Sequence, residues 1–449
     1  MHFKLSHLFF SLTIVVLFSS CLGTTTVTTT SSNPRFVSLT FAKNNTIAYL
    51  DSAKFALSAD SITIINEDSL PYKTRIDSVN PTFSFISTSR ATLFFDPLNY
   101  KYKKDSAVIT GKDTIDFRQL VQVRNFAADG KTHRDYNIKV NVHQVNPELY
   151  IWSKINDQLE SGTITNQQAT LFNSKFYFYT SNGNNINTFS SINGYNWSSA
   201  TTTGMPANCP MNPFISFNDK LYTCYSTTQI LNSTNGLDWN SSDYSTQNYN
   251  FISLLFVFNQ QLWAITQSKS DQTYHFATSD DGTTWVIRGI IPSNFPVTES
   301  AALSFSSRTG KTKVILLGGY SADGTLLATR WSTIDGINWL DFNTQNNSLP
   351  ALANAAVIAY DNKLFVFGGK SVDNSPIATP IKQSIDEGLS WSIPDSTKNY
   401  LPVGFQPRYN TSVLVDASSR IFIIGGQTSS VVLSDVWTGK LNRKSFLLQ

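Results

Sequence analysis

Short segments of alternating apolar and polar residues fill the first third of the chain, beyond its N-terminus. They run from about Arg35 to Val145, with turn-forming residues between them, and the clearest are FVSLTF, SITIIN, FSFIS, ATLFF, FRQLVQV and YNIKVNVHQV. Alternation with a period of two is typical of half-buried β-strands, and several such strands at regular spacing are typical of a β-sandwich. Pro147 disfavours a continued helix or a central strand. We therefore predict a small β-sandwich over residues 35–147.

A repeat governs the rest of the chain. Five segments carry a tryptophan three residues after a glycine: SSINGYNW (190–197), NSTNGLDW (232–239), TSDDGTTW (278–285), STIDGINW (332–339) and SIDEGLSW (384–391). Their tryptophans are 42, 46, 54 and 52 residues apart. Repeats of this length are typical of four-stranded propeller blades. The whole chain is therefore expected to be all-β, with a β-propeller over residues 148–449.

The number of blades follows from a second recurring unit, a strand, a polar turn and another strand. It occurs six times, for example as PFISFNDKLYTCY and AAVIAYDNKLFVFGG, and predicts six blades. The segment LYIWSKIN, residues 149–156, resembles an outer strand without a hairpin before it. We expect it to complete the last blade and close the ring, which removes an exposed edge. A degenerate seventh blade is the alternative.

The tryptophan segments resemble the Asp-box motif, Ser/Thr-x-Asp-x-Gly-x-Ser/Thr-Trp, and the paired glycines at 318–319, 368–369 and 425–426 resemble kelch repeats. Two segments fit the Asp box fully, through Asp280 and Asp386, whereas the other three place the acid or amide one residue later, at Asn193, Asn235 and Asp335. The resemblance implies a kelch-like propeller whose motif lies away from the active or binding site.

The chemistry of the motif residues favours a structural role. Asp and Asn accept hydrogen bonds from turn amides, glycine adopts positive φ, and an indole fills the core. The residues expected to act in this way are Asp280, Gly282, Trp285, Asp335, Gly336, Trp339, Asp386, Gly388, Trp391, Trp197 and Trp239.

The N-terminus has the organisation of an export signal. Lys4 and His7 precede an apolar run, Leu8 to Phe18, which is too short to span a bilayer as a mature helix. The sequence LFSSC resembles a bacterial lipobox, in which the cysteine becomes the lipidated first residue. The resemblance implies a signal peptide over residues 1–20, lipid attachment at Cys21 and a Thr/Ser-rich tether over residues 21–34. An ordinary signal peptide is the alternative.

Composition narrows the classes of partner. The formal net charge is +3, charged residues make up 14% of the chain, and no extended basic stripe occurs after the signal peptide, so we expect no nucleic-acid partner. Cys209 and Cys224 flank one predicted strand of an exported protein. They form either a disulfide or a pair of buried thiols.

The residues that two known classes of propeller enzyme need for catalysis are missing from this sequence. A sialidase site needs an arginine cluster, yet of the arginines after residue 147 only Arg330 and Arg408 lie outside turns, outer strands and the tail. A copper radical site needs two histidines, and this region contains only His275. We predict no catalytic residue, no metal and no cofactor. Aromatic side chains are abundant, and Trp263, Trp331 and Tyr320 are candidate ligand contacts.

Two segments extend the resemblance to the N-terminal region. INEDSLPYKTRIDSVNPT (65–82) and DYNIKVNVHQVNPELYIW (135–152), with the lipobox and the propeller, resemble Bacteroidetes lipoproteins that have an Ig-like domain ahead of a kelch-type propeller. Exported proteins of that group carry O-glycans on Asp-Ser/Thr motifs, which implies candidate sites at Ser52, Ser61, Ser69, Ser78, Ser106, Thr114 and Ser396. Such pairs are also common in turns.

These features together favour a monomeric, non-catalytic lipoprotein of the cell envelope, which is the leading hypothesis. It would be anchored in the outer membrane and face either the periplasm or the cell surface. The propeller face would bind a carbohydrate or a protein. A polysaccharide hydrolase or lyase, sialidase-like in its propeller, is the alternative. A subunit of an envelope assembly is a third hypothesis.

Overall fold

The computed structural model describes residues 32–47, 49–95, 106–109, 114–342 and 349–445. Contacts divide the chain into two compact units, Met1–Val145 and Asn146–Gln449. In the described residues no helix is long and apolar enough to cross a membrane. Cys21 and most of the predicted tether lie outside the described residues, so the lipid anchor remains a prediction.

Two sheets make up the N-terminal unit. The smaller one pairs β1 (Arg35–Phe41) with β4 (Pro81–Ile86). The larger one has the order β2-β3-β8-β7-β5-β6, in which only β3 and β8 run parallel. Its strands are β2 (Phe55–Leu57), β3 (Thr63–Asn66), β5 (Thr88–Phe95), β6 (Ser106–Val108), β7 (Val121–Ala127) and β8 (His133–Lys139). A 3-10 turn, Leu50–Ser52, follows β1.

One apolar core joins these two sheets. Leu39 of β1 and Val123 of β7 belong to the same buried cluster. Burial alternates along β7, as the period-two pattern of its sequence predicts. The Tyr136 hydroxyl, at the edge of this core, accepts a hydrogen bond from the Phe36 amide at 3.1 Å. The unit is therefore a two-sheet β-structure with a single core.

Six antiparallel sheets make up the described part of the second unit, and we number them in chain order. Sheet 1 contains β10 (Asn166–Phe172), β11 (Lys175–Ser181), β12 (Ile186–Ser191) and β13 (Ser198–Ala200); sheet 2 contains β14 (Ile215–Phe217), β15 (Lys220–Ser226), β16 (Gln229–Ser233) and β17 (Asn240–Asp243); sheet 3 contains β18 (Tyr249–Phe258), β19 (Gln261–Ser268), β20 (Tyr274–Ser279) and β21 (Val286–Ile290).

The remaining sheets follow the same order, with three strands in the described part of sheet 5. Sheet 4 contains β22 (Ala301–Ser306), β23 (Thr312–Leu317), β24 (Arg330–Thr333) and β25 (Leu340–Asp341); sheet 5 contains β26 (Ala356–Tyr360), β27 (Lys363–Phe367) and β28 (Ile381–Ser384); sheet 6 contains β29 (Ser412–Val415), β30 (Ile421–Gln427), β31 (Val432–Leu441) and β9 (Tyr150–Asn156). A 3-10 turn, Asn442–Ser445, follows β31.

Sheet 6 joins the two ends of the unit. Its outermost strand is β9, the segment LYIWSKIN, which pairs antiparallel with β31 and places Trp152 opposite Gly439. This is the pairing that the sequence predicts for the segment. The indole of Trp152 donates a 2.9 Å hydrogen bond to the Asn399 side chain, which ties the strand to the connection before β29. Because the last sheet takes a strand from each end of the unit, the ends hold each other in place.

Each pair of consecutive sheets shares a buried apolar cluster, and so do the last and the first. Sheets 3 and 4, for example, meet through Phe276 and Leu316, while sheets 6 and 1 meet through Phe422 and Phe178. The other four clusters join the remaining neighbours in the same way. The sheets therefore form a closed ring.

Tight hairpins open several sheets, and their turn residues explain why. Four two-residue turns have positive φ at both positions: Asn173–Ser174, Asn218–Asp219, Asn259–Gln260 and Asp361–Asn362. Positive φ at both positions defines the type I′ turn, whose twist matches that of paired strands, and Asn and Asp tolerate it better than any residue except glycine. These polar turns are the ones that separate the two apolar strands of each hairpin in the sequence pattern.

Candidate functional site

The strand order gives the ring two distinct faces. In sheet 4, Ala301 lies opposite Leu317 and Leu317 opposite Arg330, so β22 begins, β23 ends and β24 begins at the same end. We call this end the entry face. The third strand of the sheet ends at the other side, after Thr333, where the tryptophan motif follows; we call this side the motif face.

The motif is a hydrogen-bonded turn. In sheet 4 the Asp335 carboxylate accepts backbone hydrogen bonds from Ile337 and Asn338, both at 2.8 Å. The Thr333 hydroxyl accepts one from the Gly336 amide, also at 2.8 Å. The hydrogen bonds that the carboxylate accepts hold the pKa of Asp335 well below its usual value, and the bond from the Asn338 backbone N–H is the largest cause. The carboxylate is thus committed to the turn.

The same arrangement corrects one sequence assignment. In sheet 3 the turn is capped by Asp281, which accepts from the amides of Thr283 and Thr284 at 2.7 and 2.6 Å, and not by Asp280 as we expected. Asp280 instead accepts a 2.7 Å bond from the Gln261 side chain. The physical reason is register: the capping residue directly precedes the glycine, as Asn193, Asn235 and Asp335 do in the other sheets.

The motif of sheet 5 differs by one residue. Asp386 accepts from the Ser390 amide at 2.9 Å, and Glu387, with φ of 60°, lies between Asp386 and Gly388. The Gly388 amide still donates to Ser384, at 2.8 Å. The segment therefore follows the full Asp-box spacing and forms the same kind of cap in a longer turn.

Each motif glycine also packs against the preceding sheet. A Cβ added at Gly336 would lie 2.5 Å from the Trp263 ring, and its φ is +76°. The glycines of the other four motifs meet side chains of the preceding sheet in the same way: Gly194 meets Phe422, Gly236 meets Tyr177, Gly282 meets Tyr222 and Gly388 meets Ile315. Each motif is thus a joint between two sheets.

A substitution at this joint should be costly. Gly336→Ala combines an unfavourable φ with overpacking against Trp263, and we expect it to lower the free energy of unfolding by about 2–4 kcal/mol. Gly310 has the same φ of +76° with no atom within 4 Å of an added Cβ, so Gly310→Ala isolates the φ cost, about 1 kcal/mol. Equal losses for the two variants in urea unfolding would contradict the joint.

The tryptophans of the motif lie in the core between sheets. Trp239 and Trp391 are each 4% exposed, and Trp197, Trp285 and Trp339 are half-buried. Trp197 and Trp391 donate their indole N–H groups to the carbonyls of Gly194 and Gly388. Every contact that the structure gives these side chains is a packing or turn contact.

A different set of side chains meets on the entry face. Glu299, Tyr320, Asn354, Lys370 and Tyr409 come from the connections at the entry ends of sheets 4, 5 and 6, and we call them the entry-face cluster. Glu299 Oε2 accepts a 2.6 Å bond from the Asn354 side chain and lies 3.2 Å from Lys370 Nζ. The Lys370 ammonium lies 5.3 Å from the ring centre of Tyr320 and 5.9 Å from that of Tyr409.

The backbone holds this cluster in an uncommon conformation. Glu299, Asn354 and Asn410 each precede the first strand of their sheet and have φ of 54°, 52° and 51°. The Asn354 amide donates to the Glu299 carbonyl at 2.9 Å, and the Asn410 amide donates to the Asn354 carbonyl at 2.8 Å. A glutamate in the left-handed region is uncommon, and such outliers concentrate at functional sites.

Charge is balanced inside the cluster. Burial of Lys370 works against its charged form, but the Glu299 carboxylate more than offsets this, and the pKa of Lys370 is raised above its usual value. The Lys370 side chain is 15% exposed and that of Glu299 is 39% exposed. The pair therefore presents one cation and one anion side by side, both within reach of solvent.

The comparisons with known proteins identify both units. Residues 146–449 match the DUF6242 beta propeller domain, and residues 22–140 match the DUF6242 N-terminal domain, a domain of unknown function. The chain belongs to the DUF6242 family. The ring of sheets is therefore a β-propeller, as the tryptophan repeat predicts, and the all-β assignment is confirmed.

Several solved structures are similar to the DUF6242 propeller. They include YjhT (13% identity, TM-score 0.44, covering 64% of this chain and 97% of that one); an inactive virginiamycin B lyase of Staphylococcus aureus with quinupristin (8%, 0.40, 65% and 99%); and a Penicillium chrysogenum alpha-L-arabinanase with arabinobiose (10%, 0.42, 67% and 98%). Curated proteins include no match to the chain.

One of the three aromatic residues that the sequence suggested as ligand contacts lies in the entry-face cluster of the DUF6242 propeller. Tyr320 belongs to it, whereas Trp263 and Trp331 are only 4% and 6% exposed and pack between sheets 3 and 4. Glu299 and Lys370 were not among the candidates. A positional pattern could have found part of the cluster: Tyr320 and Lys370 each follow a pair of glycines.

Arg330 and Arg408, the two arginines that the sequence analysis did not place in turns, outer strands or the tail, are buried in the DUF6242 propeller. Arg408 is 1% exposed and pairs with Asp435, with Nη1 2.6 Å from Oδ1. Arg330 is fully buried and donates to the Phe342 carbonyl at 2.6 Å, and burial lowers its pKa. Within the described residues no three His, Cys, Asp or Glu side chains are placed to hold a metal ion.

A concave surface lies between sheets 3 and 4 of the DUF6242 propeller, apart from the entry-face cluster. The groove has a volume of about 670 Å³, and its lining includes Trp263, Phe276, Arg288 and Trp339. A smaller cavity of about 280 Å³ lies on the motif face beside Arg308 and Glu387. Both are bounded by the turn residues of the motif.

The two cysteines of the DUF6242 propeller are thiols in this structure. Cys209 and Cys224 are both buried and not joined, which favours the second of the two alternatives that the sequence leaves open. Burial raises the pKa of both thiols, that of Cys224 to about 12. Neither thiol is suited to act as a nucleophile near neutral pH.

The candidate glycosylation residues lie on loops, turns and one short strand of the DUF6242 protein. Ser52, Ser61, Thr114 and Ser396 are exposed, Ser69 and Ser78 are half-buried, and Ser106 is in β6. Asp60 accepts backbone bonds from Ile62 and Thr63 at 2.9 and 2.8 Å, so the pair Asp60–Ser61 serves a turn. Glycosylation at these positions stays a prediction.

Proposed function

We propose that this chain is a lipoprotein of the bacterial cell envelope, anchored in the outer membrane through Cys21, and that its propeller binds a glycan at the entry-face cluster without catalysis. In this proposal the N-terminal unit is an Ig-like sandwich, and the propeller is kelch-like with six blades. The observation that carries the proposal is the contact of Lys370 with Glu299 and two tyrosine rings on one face.

The make-up of the cluster favours a glycan over a protein. Sugar hydroxyls need donors and acceptors close together, and sugar rings pack on aromatic faces. The cluster offers an ammonium, a carboxylate, an amide and two tyrosine rings. A protein interface usually has an exposed apolar centre. The Lys370 loop adds one exposed aliphatic side chain, Val372 at 83%, whereas Ile337 at 81% and Leu340 at 63% lie around the motif turn of sheet 4.

The carboxylates of the entry face support binding more than hydrolysis. Glycoside hydrolysis usually employs two carboxyl groups on opposite sides of the scissile bond. Glu299 is the carboxylate of the cluster, and the nearby loop residues Asp323 and Asp373 accept hydrogen bonds from Ser321 and Ser371 of their own turns. Their pKa values are lowered, chiefly by these hydroxyls. A polysaccharide hydrolase or lyase remains the alternative that the experiment includes.

The test is glycan binding by the mature chain and by two variants. We expect wild type to bind at least one polysaccharide of a panel and release no product. Tyr320→Ala should weaken binding at least tenfold, since truncation of a central hot-spot aromatic costs about 2 kcal/mol or more. The control is Tyr400→Ala, because Tyr400 is a tyrosine 56% exposed outside the cluster.

Two outcomes would count against the proposal. Equal loss of binding in Tyr320→Ala and Tyr400→Ala would remove the site from the entry face. Release of new reducing ends or unsaturated products, abolished in Glu299→Gln, would replace binding by hydrolysis or lyase activity.

A further inference from the structure

The charge distribution of the entry-face cluster narrows the class of glycan. Lys370 is the cation of the cluster, and its Nζ is 3.2 Å from Glu299 Oε2. An ammonium already paired with a carboxylate contributes little attraction for a second anion. The cluster therefore lacks the free cation that a uronic or sialic acid would need.

The surrounding loops add negative charge. Tyr320 is followed in its loop by Asp323, and Lys370 in its loop by Asp373, and both carboxylates are exposed. The Lys370 ammonium lies near the rings of Tyr320, from the loop of sheet 4, and Tyr409, from the connection before β29. The charge of Lys370 is balanced by Glu299, and the loops at the entry ends of sheets 4 and 5 carry two further carboxylates. These carboxylates repel an anionic ligand.

Two arginines near the entry ends of sheets 6 and 4 do not alter this balance. Arg408, next to Tyr409 in sequence, is buried and paired with Asp435. Arg330, at the entry end of β24, is fully buried and directed to the Phe342 carbonyl. Neither guanidinium is available to an incoming carboxylate.

A charge-balanced pair suits hydroxyl groups. The Glu299 carboxylate only accepts hydrogen bonds and the Lys370 ammonium only donates them, so two adjacent hydroxyls can bind across the pair, one as donor and one as acceptor. The side-chain amide of Asn354 donates a 2.6 Å hydrogen bond to the Glu299 carboxylate and holds it in place. The ring of Tyr320 or Tyr409 can then pack against the apolar side of the sugar.

We propose that the entry-face cluster selects neutral saccharides bearing adjacent hydroxyls and discriminates against acidic ones. The proposal rests on the glycan-binding function above and names its ligand class. The neutral sugar binds through the Glu299–Lys370 pair, with an aromatic contact from the flanking tyrosines.

The experiment measures binding of the mature chain to matched neutral and uronic-acid polysaccharides by affinity electrophoresis, at low and high salt. Wild type should bind a neutral polymer at least tenfold more tightly than its acidic counterpart. Because no net charge is involved, the affinity for the neutral polymer should change less than about twofold between about 0.05 M and 0.5 M salt.

A charge variant makes the result specific to the pair. Glu299→Gln frees the Lys370 charge, so binding of the neutral polymer should fall about tenfold while binding of the acidic polymer rises and becomes salt-dependent. Asp323→Asn, which removes a carboxylate of the same face outside the cluster, is the control and should leave the affinity for the neutral polymer within about twofold.

The outcomes separate the two proposals. Tighter binding of the acidic polymer by wild type would overturn the inference and leave glycan binding in place. Unchanged selectivity in Glu299→Gln would remove the pair as its cause. Failure of wild type to bind any polymer of the panel would overturn the proposed function and the inference together.

Discussion

Trp339→Ala should lower the free energy of unfolding of the propeller by about 3–5 kcal/mol, the range for removal of a large aromatic side chain from a packed site. The indole is stacked on Phe276, with ring centres 5.4 Å apart, and meets Phe295 edge-on at 5.0 Å. Both partners lie between sheets 3 and 4, so the substitution opens a cavity at their joint.

Tryptophan fluorescence in urea is the suitable measurement for this variant. All nine tryptophans lie after residue 147, so the signal reports on the propeller alone, and eight remain in the variant. Ile337→Ala is the control, since Ile337 is in the same turn and 81% exposed, and should change stability by at most about 0.5 kcal/mol. An unchanged unfolding midpoint with altered glycan binding would refute the structural role.

Asp435→Ala should destabilise the propeller by a similar amount, about 3–5 kcal/mol, because it leaves a buried guanidinium without its counter-charge. Asp435 binds Arg408 through both oxygens, at 2.6 and 3.2 Å, and also accepts a 2.8 Å bond from the Trp437 indole. The variant therefore leaves two buried donors in sheet 6 without an acceptor.

A double variant tests this explanation. Arg408→Met with Asp435→Leu replaces both charges by an apolar pair, so it should be more stable than Asp435→Ala alone. Asp157→Ala, which breaks the ion pair with Lys154 at a carboxylate 92% exposed, should cost at most about 1 kcal/mol. A double variant less stable than the single one would show that the pair itself, and not the unpaired charge, determines stability.

The architecture was predictable because it repeats. The Gly-x-x-Trp spacing reports a turn that follows the third strand of sheets 1 to 5, and the polar hairpin turns report positive φ at Asn and Asp. The pairing of LYIWSKIN with the last strand followed from the need to cover an edge. These features depend on local chemistry that each copy shows again.

The misplaced cap shows where such a pattern becomes ambiguous. Asp280 and Asp281 are adjacent acids, and the generic motif favours the first. Only the second has its oxygen within reach of two turn amides. Aligning the five segments on their own glycines would have selected Asp281, because three of the other four place the capping residue directly before the glycine.

The entry-face cluster was predictable only in part. Tyr320 was a candidate as an aromatic residue, but Glu299 and Lys370 belong to connections of different sheets and nothing in their local sequence pairs them. Their contact is produced by the ring, in which the Asn354 backbone bridges one sheet to the next. The proposed site thus depends on contacts between neighbouring sheets, which the repeat period alone does not specify.

The most direct test of the central claim is a crystal structure of the mature chain with a bound neutral oligosaccharide. We expect the sugar on the entry face, with its hydroxyls bound by Glu299 and Lys370 and its ring against Tyr320 or Tyr409. A sugar bound instead in the groove between Trp263 and Trp339 would contradict the account, since it would make the motif a binding element.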